Sequence, residues 1–127
     1  MNELLAFYGT LMSGMPPRPH RPDLAPRVRL VSGCLIPGRL IDLGRYPALV
    51  PGDGVVRGEL WRTTSADALG LVDAWEGAEY VRREIELLEP AVTAWVYVWD
   101  RAAAGHAAIS GGDWRSHSVD VVPVHHP

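Results

Sequence analysis

Runs of apolar residues separated by turn-forming residues predict several short strands in the first half of the chain. Leu4–Tyr8 is a continuous apolar run that ends at a glycine, which favours a short buried strand. Val28–Ile41 predicts one strand, or two strands joined at Pro37-Gly38. Residues 46–61 predict a hairpin, in which Pro51–Gly54 supplies strong turn chemistry between two extended segments.

Prolines dominate the segment between the first two strands. Met12–Arg27 holds five of them, at positions 16, 17, 19, 22 and 26. Because proline removes a backbone donor and restricts the residue before it, we expect an ordered loop with at most one helical turn.

The second half of the chain predicts one clear helix and a second hairpin. Ser65 is a suitable N-cap for a helix that runs to about Trp75 and is closed by Gly77. Two strand candidates on either side of Pro90 are expected to pair as a hairpin; they are Val81–Leu88 and Ala91–Trp99. Residues 102–108 favour a short helix, and residues 119–124 favour a last strand or an extended tail.

Many strands with one clear helix predict an α+β fold with a curved, mostly antiparallel sheet. The 127 residues predict a single domain, residues 1–127, which can bury one core without disulfides or metal. The net charge of −3 provides no basic field, so neither nucleic acid nor a membrane surface is expected as a partner.

One cysteine bears on the compartment. Cys34 cannot form an internal disulfide, and its apolar neighbours predict a small buried side chain. The N-terminus shows no secretory signal pattern, and no apolar run is long enough to span a bilayer. Together these features predict a cytoplasmic protein.

The turn after the first strand is the first candidate for chemistry. Tyr8-Gly9-Thr10-Leu11 would expose consecutive backbone N–H groups, which can hold a carboxylate or an oxyanion, and the glycine permits close approach of a ligand. The alternative is an ordinary turn without a ligand.

Glu76 is the second candidate. On the predicted helix it shares a face with Leu69 and Val72, so its carboxylate points toward the apolar side. Burial and a helix C-terminus both favour the protonated acid, and Asp73 adds a like charge, so Glu76 suits general acid/base work. The alternative is an acid that ends the helix in solvent or pairs with Arg82 or Arg83.

Other sequence patterns give weaker indications of a functional site. The five histidines show no metal-ligand spacing, so no metal is expected. Ser110–Asp113 lacks the lysine and helix of a phosphate-binding loop. Trp95, Tyr97 and Trp99 share one face of a strand, and we expect one of them to line a cavity.

Four ordered blocks of the chain resemble the γ-glutamyl cyclotransferase-like (AIG2-like) superfamily. They cover most of residues 4–100 and are Phe7–Gly14, Gly38–Pro51, Val56–Trp61, and Val72–Gly77 followed by Tyr80–Arg82. The resemblance implies a compact, mostly antiparallel β-barrel with flanking helices and a pocket at one end. It also implies a reaction without a cofactor, in which the amine of a γ-glutamyl group attacks its own γ-carbonyl and releases 5-oxoproline and an amine or amino acid.

The same resemblance assigns roles to residues. It implies that Glu76 is the acid/base, and that the substrate-binding residues are Tyr8, Gly9, Thr10, Leu11 and Tyr80. The implied partner is a small γ-glutamyl molecule, bound by a monomer or homodimer. Only two residues separate Gly77 from Tyr80, fewer than in many relatives, which would reshape the pocket mouth. Two alternatives are a non-catalytic small-molecule binding module on the same fold, and removal of a γ-glutamyl group from a larger metabolite.

Overall fold

The computed structural model of the protein describes residues 3–9, 11–13, 21–101 and 105–121. The strands are β1 Leu4–Phe7, β2 Val28–Asp42, β3 Pro47–Thr63, β4 Tyr80–Glu86, β5 Thr93–Trp99 and β6 Ala107–Ala108. The helices are α1 Arg21–Leu24, α2 Ala68–Glu76 and α3 Trp114–Val121, with short 3-10 segments at Ala25–Arg27 and Ser110–Gly112. The predicted loop over Met12–Arg27 therefore ends in helical turns, and residues 14–20 lie outside the described residues.

The strands form one six-stranded sheet in the order β4-β5-β1-β3-β2-β6, curled into a half-barrel. Strand β1 lies inside it, antiparallel to β3 and parallel to β5. The other pairings, β2 with β3, β2 with β6 and β4 with β5, are antiparallel. The predicted α+β fold with a mostly antiparallel sheet and flanking helices is thus confirmed, as is the hairpin of β4 and β5.

The predicted hairpin over residues 46–61 is wrong. The chain continues through Pro51–Gly54 within β3, and the reversal lies earlier, between β2 and β3. On β2, Pro37 pairs with Val55 but Arg39 already pairs with Val50, so the turn-forming residues make a bulge against β2. A Cβ on Gly54 would lie 2.7 Å from the carbonyl oxygen of Gly38, which explains the glycine at this close approach.

Three smaller predictions also fail. The helix α2 is preceded by Asp67 at the cap position, whereas the Ser65 hydroxyl donates to the Asp67 carboxylate. Ala107–Ala108 pairs with the end of β2 instead of forming a helix, and residues 102–104 lie outside the described residues. Of residues 119–124, predicted as a last strand or an extended tail, residues 119–121 belong to α3. Residues 122–127 lie outside the described residues.

The hydrophobic core gathers residues from the strands and from α2, and it includes Cys34. Among its fully buried side chains are those of Leu5, Ile36, Val72 and Val96. Cys34 is buried as predicted, and burial, with a contribution from the charge of Glu59, raises its pKa to about 12. Across the described ranges, no helix is long and apolar enough to cross a membrane.

Candidate active site

A cavity of about 150 Å³ opens where β1, the β2–β3 reversal, the C-terminal end of α2 and the β4–β5 hairpin meet. A cavity of that volume can hold a molecule the size of benzene. Its lining is largely aromatic, with one carboxylate, and consists of Ala6, Phe7, Tyr8, Gly9, Leu11, Tyr46, Pro47, Trp75, Glu76, Tyr80 and Tyr97.

Tyr8 forms the floor of the cavity and is fixed at its hydroxyl. The hydroxyl donates to the carbonyl oxygen of Tyr97 at 2.6 Å and accepts from the backbone N–H of Leu49 at 3.1 Å. Burial raises the pKa of Tyr8 well above its usual value, and the nearby charges of Glu76 and Tyr80 raise it further. The Tyr8 hydroxyl is therefore neutral at physiological pH, and two hydrogen bonds hold it in place.

Glu76 occupies the last position of α2 and lines the cavity. Val72, one turn earlier, is fully buried, and Leu69 packs against the core, so the helical phase directs Glu76 to the inner side as the sequence predicts. Gly77 ends the helix with a φ of 86°, a conformation that favours glycine. Tyr8 and Glu76, far apart in the chain, thus meet in one cavity.

The neighbouring acid, Asp73, has a different set of contacts. Arg82 donates to it from Nε at 2.8 Å and from Nη2 at 3.1 Å, and the Tyr97 hydroxyl donates to it at 2.6 Å. The bond to Asp73 raises the pKa of Arg82, and burial together with the same carboxylate raises the pKa of Tyr97. Arg82, which the sequence offered with Arg83 as a partner for Glu76, pairs with Asp73.

The turn after β1 is closed by one backbone hydrogen bond and begins at a tightly packed glycine. Gly9 lies against Pro47, where a Cβ would come within 3.0 Å of Pro47 Cγ. The Met12 N–H donates to the Gly9 carbonyl at 3.1 Å, and Leu11 is buried. Thr10, a predicted binding residue, lies outside the described residues.

Tyr80 also lines the cavity. Its hydroxyl donates to the carbonyl oxygen of Pro47 at 2.9 Å, and its ring packs edge-on against Trp99 with centroids 5.3 Å apart. Tyr46 also lines the cavity and is 43% exposed, so it marks the side open to solvent. Trp95, Tyr97 and Trp99 were predicted to share a strand face that contributes one residue to a cavity, and Tyr97 is that residue.

Several contributors escaped sequence reasoning. Tyr46 and Pro47 reach the cavity only because the chain reverses beside them, and Trp75 precedes the acid on α2. Asp73 was predicted from its spacing only as a like charge near Glu76, and its pairing with Arg82 was not predicted. Within the described ranges, no group of His, Cys, Asp and Glu could hold a metal ion.

The chain is similar in sequence to proteins of a known family. The chain matches the family model described as gamma-glutamyl cyclotransferase, AIG2-like, over residues 5–116. The gamma-glutamylcyclotransferase family protein YtfP of Escherichia coli K12 is 42% identical over 78 residues, which are 60% of this chain and 66% of YtfP. The chain thus spans slightly less than two thirds of the length of that relative.

Solved structures agree in fold. The solution structure of ytfP from Escherichia coli has a TM-score of 0.67 at 32% identity, covering 91% of this chain and 98% of the other. The crystal structure of an AIG2-like protein from Mus musculus has a TM-score of 0.72 at 22% identity, covering 89% and 88%, which shows the fold alone. By sequence over residues 5–116 and by fold, the chain belongs to the γ-glutamyl cyclotransferase, AIG2-like family.

Proposed function

We propose that the protein is a γ-glutamyl cyclotransferase, with Glu76 as its general acid/base. The observation that carries the proposal is the meeting of Glu76 with Tyr8 and Gly9 in one cavity, because these residues lie in two of the four sequence blocks that resemble the family. A carboxylate that is half-buried among aromatic rings can both accept and return a proton.

The reaction moves two protons from the attacking nitrogen to the leaving nitrogen and needs no water. Glu76 takes a proton from the substrate α-ammonium, and the freed amine nitrogen attacks the γ-carbonyl carbon within the same molecule. As the bond from that carbon to the leaving nitrogen breaks, the proton on Glu76 passes to the leaving nitrogen. The ring nitrogen still carries one proton more than the lactam keeps; Glu76 takes this second proton and passes it to the released amine, so that the carboxylate is regenerated. The products are 5-oxoproline and an amine or amino acid.

The cavity supports ring closure by its size and by the turn at its edge. About 150 Å³ suits a five-membered ring and little more, so the reacting amine and carbonyl would be held in a closing conformation. The Met12 N–H is used within the turn, and the donors proposed for the substrate carboxylate or carbonyl oxygen are the backbone N–H groups of residues 9–11. The leaving amine would extend past Tyr46 toward solvent.

The test is Glu76→Gln, assayed by 5-oxoproline release across a panel of γ-glutamyl amines and peptides. Because the amide cannot carry the proton, kcat should fall by about 10²–10⁴-fold with the fold retained by circular dichroism. Glu79→Gln, an exposed carboxylate just after α2, is the matched control and should keep wild-type turnover.

Two outcomes would contradict the proposal. Unchanged turnover in the Glu76→Gln variant would remove Glu76 from the reaction. A wild-type protein that binds γ-glutamyl compounds by calorimetry and releases no 5-oxoproline from any of them would make it a binding module on this fold.

A further inference from the structure

A buried carboxylate outside the cavity holds the far end of the β1 turn. Glu59 lies on β3 with 5% exposure, opposite Phe7 on β1. Its Oε1 accepts the backbone N–H of Ser13 at 2.6 Å, and its Oε2 accepts the Ser13 hydroxyl. The carboxylate therefore binds both donors of the residue at which the turn ends.

Two further donors complete the surroundings of Glu59. The indole N–H of Trp61 donates to Oε1 at 3.2 Å. Arg115, on α3, donates from Nη1 to Oε2 at 3.3 Å and to the carbonyl oxygen of Ser13 at 3.2 Å. Arg115 thus contacts both the acid and the segment that the acid holds.

The contacts of Glu59 fix the geometry of this end of the turn. A carboxylate is costly to bury, so four donors converging on one at 5% exposure mark a site where geometry is fixed. The other end of the same turn is fixed by the Tyr8 hydroxyl and by contact of Gly9 with Pro47. Residues 9–11, between the two anchors, are those proposed to bind the substrate.

We propose that Glu59 is a positioning residue for the substrate-binding turn, and that Arg115 makes α3 part of that device. Neither side chain lines the cavity. They act through Ser13, by holding the backbone of the turn at the distance from Glu76 that the substrate must span. The inference rests on the proposed function, since it gives the turn a substrate to bind.

The decisive variants are Glu59→Gln and Arg115→Ala, with Arg115→Lys as the conservative replacement. We expect KM for the best γ-glutamyl substrate, and Kd for 5-oxoproline, to rise about tenfold or more, because a misplaced turn binds the ligand less well. A change that merely destabilised the fold would lower the active fraction, and hence kcat, without moving KM. Arg115→Lys keeps the charge and should recover part of the affinity.

Controls remove similar groups elsewhere. Arg27→Ala breaks the pair of Arg27 Nε with Asp67 at 3.1 Å, and Glu84→Gln neutralises an exposed acid on β4. Both should keep wild-type KM. Arg115 is 40% exposed at its side chain, so its replacement should fold even if Glu59→Gln does not.

Amide hydrogen exchange gives a readout independent of turnover. In both principal variants the Met12 and Ser13 amides should exchange about tenfold faster or more, because the anchor that closes the turn is lost. KM and exchange rates within twofold of the wild type would overturn the inference while leaving the cyclotransferase proposal intact. If the wild type released no 5-oxoproline, the proposed function would fail, and unchanged exchange would then overturn the anchoring role as well.

Discussion

Removal of one hydroxyl, in Tyr8→Phe, should destabilise the protein by more than an ordinary conservative substitution. The phenolic oxygen serves two backbone groups from different elements, the Tyr97 carbonyl on β5 and the Leu49 N–H on β3. Phenylalanine fills the same space, so no cavity arises and the change isolates the two hydrogen bonds. Both groups are buried, so water cannot replace the missing partner.

The magnitude follows from leaving two buried groups unsatisfied. Each costs about 1–3 kcal/mol, and partial relaxation makes a total of about 2–3 kcal/mol reasonable. For a chain of 127 residues the entropy of unfolding makes 1 kcal/mol equivalent to about 4 °C in Tm. Tyr8→Phe should therefore lower Tm by about 8–12 °C.

The assay is urea denaturation followed by tryptophan fluorescence, with thermal unfolding by circular dichroism as a second probe. Ser32→Ala, which removes an exposed hydroxyl that donates to the carbonyl oxygen of the adjacent Gly33, is the control and should change stability by less than about 0.5 kcal/mol. A Tyr8→Phe variant as stable as this control would refute the reasoning, because it would show that the hydroxyl is not the link between β3 and β5.

Three further results are expected. Asp73→Asn and Arg82→Gln should be non-additive in a double-mutant cycle of urea stability, with a coupling of about 1 kcal/mol because the pair is partly exposed; full additivity would contradict the ion pair. Cys34, buried with a pKa raised to about 12, should react with a thiol reagent at pH 8 only as fast as the protein opens; stoichiometric labelling of the native protein within seconds would contradict this. The pKa of Asp42 is lowered because the His117 and Gly44 hydrogen bonds outweigh burial, so its contribution to stability is present above the unfolded value of 3.8 and is lost as the pH falls through the lower folded value. Asp42→Asn should thus cost stability at pH 6 and not at pH 2, and an equal cost at both would contradict it.

The periodicity of apolar residues within a segment was sufficient to predict the elements that bury one face. The spacing of Leu69, Val72 and Glu76 predicted the direction of the acid because a helix repeats every 3.6 residues wherever it packs. The hairpin of β4 and β5 was equally readable, since its two apolar runs flank a proline.

Strand pairings and polar contacts between distant parts of the chain could not be predicted from the sequence. Pro51–Gly54 has the residues of a reversal, yet pairing with β2 on both sides keeps the chain in one strand. The Glu59 anchor joins residues 46 and 56 positions away, and nothing in the sequence distinguishes Arg115 from the other eleven arginines. Long-range polar contacts of this kind depend on the completed fold.

The position of β1 inside the sheet has a consequence for the order of folding. Leu5 pairs with Trp61 on one side and with Trp95 on the other, so this strand closes its hydrogen bonds only after the last long strand is made. During synthesis the β2–β3 hairpin can form first, whereas Leu4–Phe7 must wait, apolar and unpaired, for partners more than fifty residues downstream. The turn that follows β1 inherits that delay, so we expect the cavity to be among the last regions of the protein to become ordered.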